Sequence, residues 1–108
     1  MDVKISIVRS AKDGTVYTWG VNSKGELGDN TTTNRTTPVQ VLKGDYSGNK
    51  YLGDNTKNPV IAVSALFYNS IAMAADGTLY NCGLNRSGQL GDNTTTDRLI
   101  PVKVLGIG

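Results

Sequence analysis

The chain has 108 residues, at most one domain's worth, with 38% hydrophobic residues, 19% charged residues and 13 glycines. Eleven basic against nine acidic residues leave a formal charge of +2 and no basic stripe, so charge gives no support to nucleic-acid binding. Histidine is absent, which removes Ser-His-Asp and Cys-His chemistry together with the commonest general acid/base and the commonest metal ligand. An enzyme without it is a poor bet.

A chain rich in Gly and Thr and poor in Ala points to short strands joined by tight turns. Cys82 stands alone, so neither an intrachain disulfide nor a cysteine zinc cluster can form. No apolar run approaches the ~18 residues a membrane helix needs. The start, Met1-Asp2-Val3-Lys4-Ile5-Ser6-Ile7-Val8, alternates like a strand and lacks the apolar core of a signal peptide. Either the protein is intracellular or a secretion signal lies outside this sequence, and the compartment stays unassigned.

Residues 3–11 read as a strand, with Val3, Ile5 and Ile7 on one side. Lys12-Asp13-Gly14-Thr15 supplies an Asp-Gly turn whose two central positions tolerate positive φ, and Val16-Tyr17-Thr18-Trp19-Gly20 returns as the second strand of a hairpin. Asn22-Ser23-Lys24-Gly25 turns again. Leu27 is then an isolated apolar anchor ahead of Gly28–Thr37, which has no apolar residue and reads as a surface loop. Pro38-Val39-Gln40-Val41-Leu42 is a short strand whose proline, at the first position, forfeits no ladder bond. Residues 43–58 are dominated by Gly, Asn, Asp and Ser and read as a loop. Within it Leu52-Gly53-Asp54-Asn55-Thr56 looks like a degraded repeat core. Residues 60–75 are the most apolar segment; a helix is conceivable there, but the alignment of its second half with 6–12, ahead of an identical Asp-Gly turn, favours two strands broken near Tyr68-Asn69, buried on both faces. Asp76-Gly77, a strand over 79–83, a loop over 85–98 and Pro101–Leu105 complete the chain.

The second half replays the first. Laying 13–42 over 76–105, an offset of 88 − 25 = 63 residues, gives 19 identities in 30 positions. At the same offset residues 69–75 align with 6–12. The most complete match joins Gly25-Glu26-Leu27-Gly28-Asp29-Asn30-Thr31-Thr32-Thr33-Asn34-Arg35 to Gly88-Gln89-Leu90-Gly91-Asp92-Asn93-Thr94-Thr95-Thr96-Asp97-Arg98.

The pattern Asp-Gly-Thr-Val-Tyr-Thr-Trp-Gly, then Asn, Gly-x-Leu-Gly and Pro-Val, resembles the repeat of the regulator of chromosome condensation (RCC1) family. Such repeats run ~50 residues, each a four-stranded blade of a β-propeller. The resemblance implies an all-β fold of two antiparallel, four-stranded, blade-like units: unit one at about 3–42, an insert at about 43–58 and unit two at about 59–105. Gly14, Trp19, Gly20, Leu27, Gly28, Pro38, Gly77, Gly83, Leu90, Gly91 and Pro101 fall at its structural repeat positions. The chain departs from the family at Cys82 (for Trp), Asn69 (for His), Leu66-Phe67 (for two glycines) and in the length of the insert. Two blades cannot close a ring of about four to eight. The chain is therefore expected to complete its ring with copies of itself, or to be a fragment of a longer propeller.

Asp29-Asn30-Thr31-Thr32-Thr33-Asn34 superficially resembles a calcium loop, but it lacks the central Gly and the terminal Glu, so turns held by side-chain-to-backbone bonds are the better reading. Arg35 and Arg98 share a repeat position and are expected to pair with Asp29 and Asp92 or with loop carbonyls. Sequons at Asn30, Asn34, Asn85 and Asn93 are explained by repetition. Cys82 reads as buried packing, and Asp13, Asp29, Asp76 and Asp92 as turn residues rather than acid/base pairs. Tyr46, Lys50 and Tyr51 have the composition of a protein-binding surface, with inward packing the bland alternative.

No catalytic residue, cofactor, metal, nucleic acid or membrane is expected. The chain reads as a non-enzymatic propeller module that binds a protein partner or copies of itself, with a purely structural tiling piece as the alternative. Family relatives include exchange factors for a nuclear GTPase and a bacterial β-lactamase inhibitor, but no partner-specific motif is matched here. Thr-rich, near-exact repeats point by analogy to a prokaryotic surface or secreted relative.

Overall fold

The structure of the chain, a computed structural model, describes residues 5–10 and 12–105. Strand β1 (Ile5–Arg9) turns back as β2 (Val16–Gly20), and β3 (Arg35–Gln40) pairs on the other side of β2. A second antiparallel sheet follows in the order β4 (Val60–Ala65), β5 (Asn69–Ala74), β6 (Leu79–Gly83) and β7 (Arg98–Lys103). The fold is all-β. The first sheet has three described strands where four were expected, because no described strand pairs on the far side of β1. None of the described residues forms a helix long and apolar enough to cross a membrane.

The Asp-Gly turns work differently from the expectation. Gly14 and Gly77 take positive φ (76° and 87°), but Asp13 and Asp76 do not. The aspartates act through their carboxylates: Asp13 Oδ1 accepts the Thr15 N–H (3.1 Å) and hydroxyl (2.8 Å), and Asp76 Oδ1 accepts the Thr78 N–H (3.0 Å). Six residues (10–15) separate the paired residues Arg9 and Val16, whereas five (74–78) separate the paired residues Met73 and Leu79. The extra residue shifts the repeat. Ser6 faces Trp19 as Ser70 faces Cys82, so β1 matches β5 at an offset of 70 − 6 = 64, not 63.

Strand β3 starts at Arg35, earlier than expected, and Pro38 lies inside it. As the outer strand of its sheet it tolerates the missing N–H. Strand β7 likewise begins at Arg98. Residues 60–75 do break into two strands, at a turn in which Tyr68 takes φ of 71° and the Leu66 N–H bonds to Asn69 O. Burial on both faces does not follow: Ile61 is 46% exposed.

The 43–58 segment folds inward. Tyr46 is 1% exposed, meets the Tyr80 ring edge-on at 5.6 Å, and donates its hydroxyl to Asn58 O (2.7 Å) while accepting the Asn55 N–H (3.1 Å). Leu52 N–H bonds to Val41 O, and Leu42 bridges Tyr51. The Asp54 carboxylate accepts the N–H groups of Asn49, Lys50 and Tyr51, at 2.7–2.9 Å. Leu52–Thr56 thus does not reproduce the bonding of the repeat core, in which Asp29 bonds forward to Thr31. Val16, Val41, Tyr46, Leu52, Val60, Ala72, Ala74 and Tyr80 form the core between the sheets.

Tyr46 is therefore a wedge joining the insert to the second sheet. Tyr46→Ala should destabilise the chain by about 3–5 kcal/mol, as aromatic-to-alanine cavities do. Tyr46→Phe, which removes only the hydroxyl, should cost about 1 kcal/mol. Urea melts of the three proteins measure both.

Candidate protein-interaction site

A loop without apolar residues must be fixed by polar bonds. Asn22 does this from a fully buried position. Its amide nitrogen lies 3.0–3.1 Å from Asp29 Oδ1, Thr31 O, Thr31 Oγ1 and Thr33 O, and its Oδ1 accepts the Leu27 N–H at 2.9 Å. Asn85 repeats the arrangement with Asp92, Thr94, Thr96 and Leu90. From sequence Asn22 read only as a turn residue and Asn85 only as a repeated sequon; their recurrence at one repeat position was the available signal for this role.

Arg35 pairs with Asp29 (2.9 Å) and Arg98 with Asp92 (2.7 Å), as expected. Burial alone would raise the Asp92 carboxyl, but the Thr94, Arg98 and Asn85 side chains outweigh it and hold it at about 2. Asp29 is lowered by the same balance. These carboxylates, with Asp13 and Asp76 in their turns, are occupied structurally. Among the described residues no group of three His, Cys, Asp or Glu could hold a metal. Leu27 and Leu90 are buried anchors. Gly83, with φ of 111°, brings its Cα against the Tyr68 carbonyl, where a Cβ would clash.

Of the trio Tyr46, Lys50 and Tyr51, the first is buried. Lys50 is exposed, with its ammonium 5.2 Å from the half-buried Tyr51 ring. Of the three, only this pair stands at the surface.

Apolar side chains also stand on the outward faces of the two sheets. Ser70, Ala72, Tyr80 and Cys82 face the first sheet; Ala72, Tyr80 and Cys82 are 3%, 4% and 2% exposed. Their register equivalents Ser6, Val8, Tyr17 and Trp19 share the first sheet's outward face, where Val8 is 47% exposed and both rings are half-buried. At the seam, Ser70 Oγ donates to Glu26 O (2.7 Å) and Cys82 Sγ lies 3.0 Å from Ser70 Oγ. Burial pushes the Cys82 thiol up to about 12, consistent with packing rather than nucleophilic use. On the second sheet's outward side, Ile71, Met73 and Leu79 line a shallow apolar hollow.

The family model for the regulator of chromosome condensation (RCC1) repeat matches residues 13–65 and 76–108. The chain belongs to the RCC1 repeat family. It is 30% identical over 88 residues to the protein RCC2 homolog of Danio rerio, covering 82% of this chain and 16% of that protein. The human WBSCR16 crystal structure superposes with a TM-score of 0.77 at 24% identity, over 97% of this chain and 24% of that one. The Saccharomyces cerevisiae Prp20p structure, described with its binding to Gsp1p and histones, gives a TM-score of 0.73 at 22% identity, over 100% of this chain and 25% of that one. The RCC1-like propeller fold is thus shown, while this chain spans less than a fifth of the RCC2 homolog's length.

The asparagine-centred loop predicts two outcomes. Asn85→Ala should lower stability by about 2–3 kcal/mol, since it strands a buried N–H and several acceptors. Asp92 is depressed in the folded state, so its contribution is complete above its ordinary value of 3.8 and lost as pH falls toward about 2. Asp92→Asn should flatten that acid limb in urea melts taken across pH.

Proposed function

We propose that this chain is a non-enzymatic propeller repeat module that acts as a protein-interaction scaffold, its two outward sheet faces completed by further repeats. The observation that carries this reading is the unequal covering of equivalent surfaces. Val8, Tyr17 and Trp19 stand partly in solvent, whereas Ala72, Tyr80 and Cys82 are sealed in the seam. An apolar sheet face of this kind needs a cover. A second copy can supply it by repeating the internal seam head to tail, and so can additional repeats on the same polypeptide.

The inward folding of Tyr46 favours tiling as the task of the insert, and leaves Lys50 and Tyr51 as the candidate contact on that segment. Prp20p's binding to Gsp1p and histones supports a protein-binding role by analogy. An exchange-factor or inhibitor-like activity rests on family analogy alone.

Solution mass by light scattering behind size exclusion, over a concentration series, tests self-association. A defined multiple of the chain mass is the expected result. Monomer at every concentration would refute self-association and leave repeats on the same polypeptide as the cover.

A further inference from the structure

The first repeat's loop is already occupied, and its occupant shows what the second repeat's loop is shaped to take. Gly25 lies directly under Leu99: a Cβ there would collide with Leu99 Cδ2 and come within 2.8 Å of Leu99 Cα. A Cβ on Gly28 would come within 2.8 Å of its own repeat's Val41 Cγ1, and would also lie 3.2 Å from Cys82 Sγ and, at ordinary contact distance, 3.6 Å from Pro101 Cδ. The Asn30 N–H, presented at a φ of 65°, donates to Leu99 O at 2.9 Å. The loop thus grips an extended Leu-x-Pro segment through one glycine notch at Gly25, an ordinary contact of the proline beside Gly28, and one backbone donor.

The second loop has the same parts and no occupant among the described residues. Asn93 repeats the φ at 67°. A Cβ on Gly88 would meet nothing closer than Thr94 O at 3.9 Å, and one on Gly91 would meet only its own repeat's Val104. No described residue accepts the Asn93 N–H. Gly88, Gly91, Asn93, Thr94 and Leu105 line an open groove of about 820 Å³ there.

We infer that this groove binds an extended segment carrying Leu-x-Pro, with leucine over Gly88, proline against Gly91 and the leucine carbonyl on the Asn93 N–H. The inference rests on the scaffold reading and adds a specificity to it. In this chain's own first sheet, the residue at the leucine position is Thr36, ahead of Pro38. A threonine fills the notch less fully and brings an unpaired hydroxyl into it, so the groove prefers a repeat with leucine at that position.

The test is NMR titration of the ¹⁵N-labelled full chain with a peptide of the sequence Asp-Arg-Leu-Ile-Pro-Val-Lys and with its Leu→Thr variant. The leucine peptide should move the amides of Gly88, Gly91, Asn93 and Leu105. The threonine peptide should bind about tenfold more weakly, for the loss of apolar burial. Leu105→Glu, at an exposed side chain, should abolish the response while leaving the dispersed spectrum of the folded chain intact. Equal response to the two peptides, shifts centred elsewhere, or no shifts at millimolar peptide would overturn the groove. Any of these leaves the scaffold reading standing, and a monomeric mass leaves the groove standing.

Discussion

Everything in this structure depends on a buried asparagine amide. Asn22 and Asn85 each offer one nitrogen to a ring of acceptors and one oxygen to a leucine N–H, with no exposure to water. An unmade hydrogen bond in such a place costs about 1–3 kcal/mol, so the loop closes fully or not at all. From that closure follow the seating of Leu27 and Leu90, the aspartate–arginine pairs, and the point at which β3 and β7 can begin. A loop with no apolar residue thereby becomes as defined as a strand, and its glycines can serve as a floor for a neighbouring sheet.

Identity and divergence between the repeats sort by which boundary a residue faces. The positions kept letter for letter, such as Asn22/Asn85, Asp29/Asp92 and Arg35/Arg98, close bonds within one repeat. Several that differ lie between repeats. Cys82 is sealed in the seam while Trp19 looks outward. Glu26 is buried under the second sheet, with Oε1 on the Lys24 N–H and Oε2 unpartnered, whereas Gln89 stands exposed and makes the equivalent bond to Ser87 N–H. Leu99 fills the notch of Gly25, and Thr36 faces open space.

Strand locations and the all-β class were legible because alternation and Asp-Gly turns are local signals. The arginine pairs were legible because recurrence at one repeat position marks a residue that serves the repeat. The one-residue slip of β1 was not, since the sequence offset of 63 is set by the well-matched stretch after the turn and says nothing about the turn's length. The inward fold of Tyr46 was equally hidden. Its partner Tyr80 is distant in sequence, and composition alone cannot distinguish a ring that contacts a partner from one that wedges two elements of its own chain. The asparagine hub was visible only as a repeated turn residue, because its meaning depends on carbonyls that converge after folding.

The lone thiol gives the seam a chemical clock. Cys82 Sγ lies between Ser70 Oγ and the Glu26 carbonyl, in the contact between the two sheets. Burial keeps it protonated as well as covered. An alkylating reagent can reach it only when the sheets part, and the thiolate forms readily only in that opened state. The rate of its modification therefore counts openings of one defined joint, with no second cysteine in the sequence to confuse the signal.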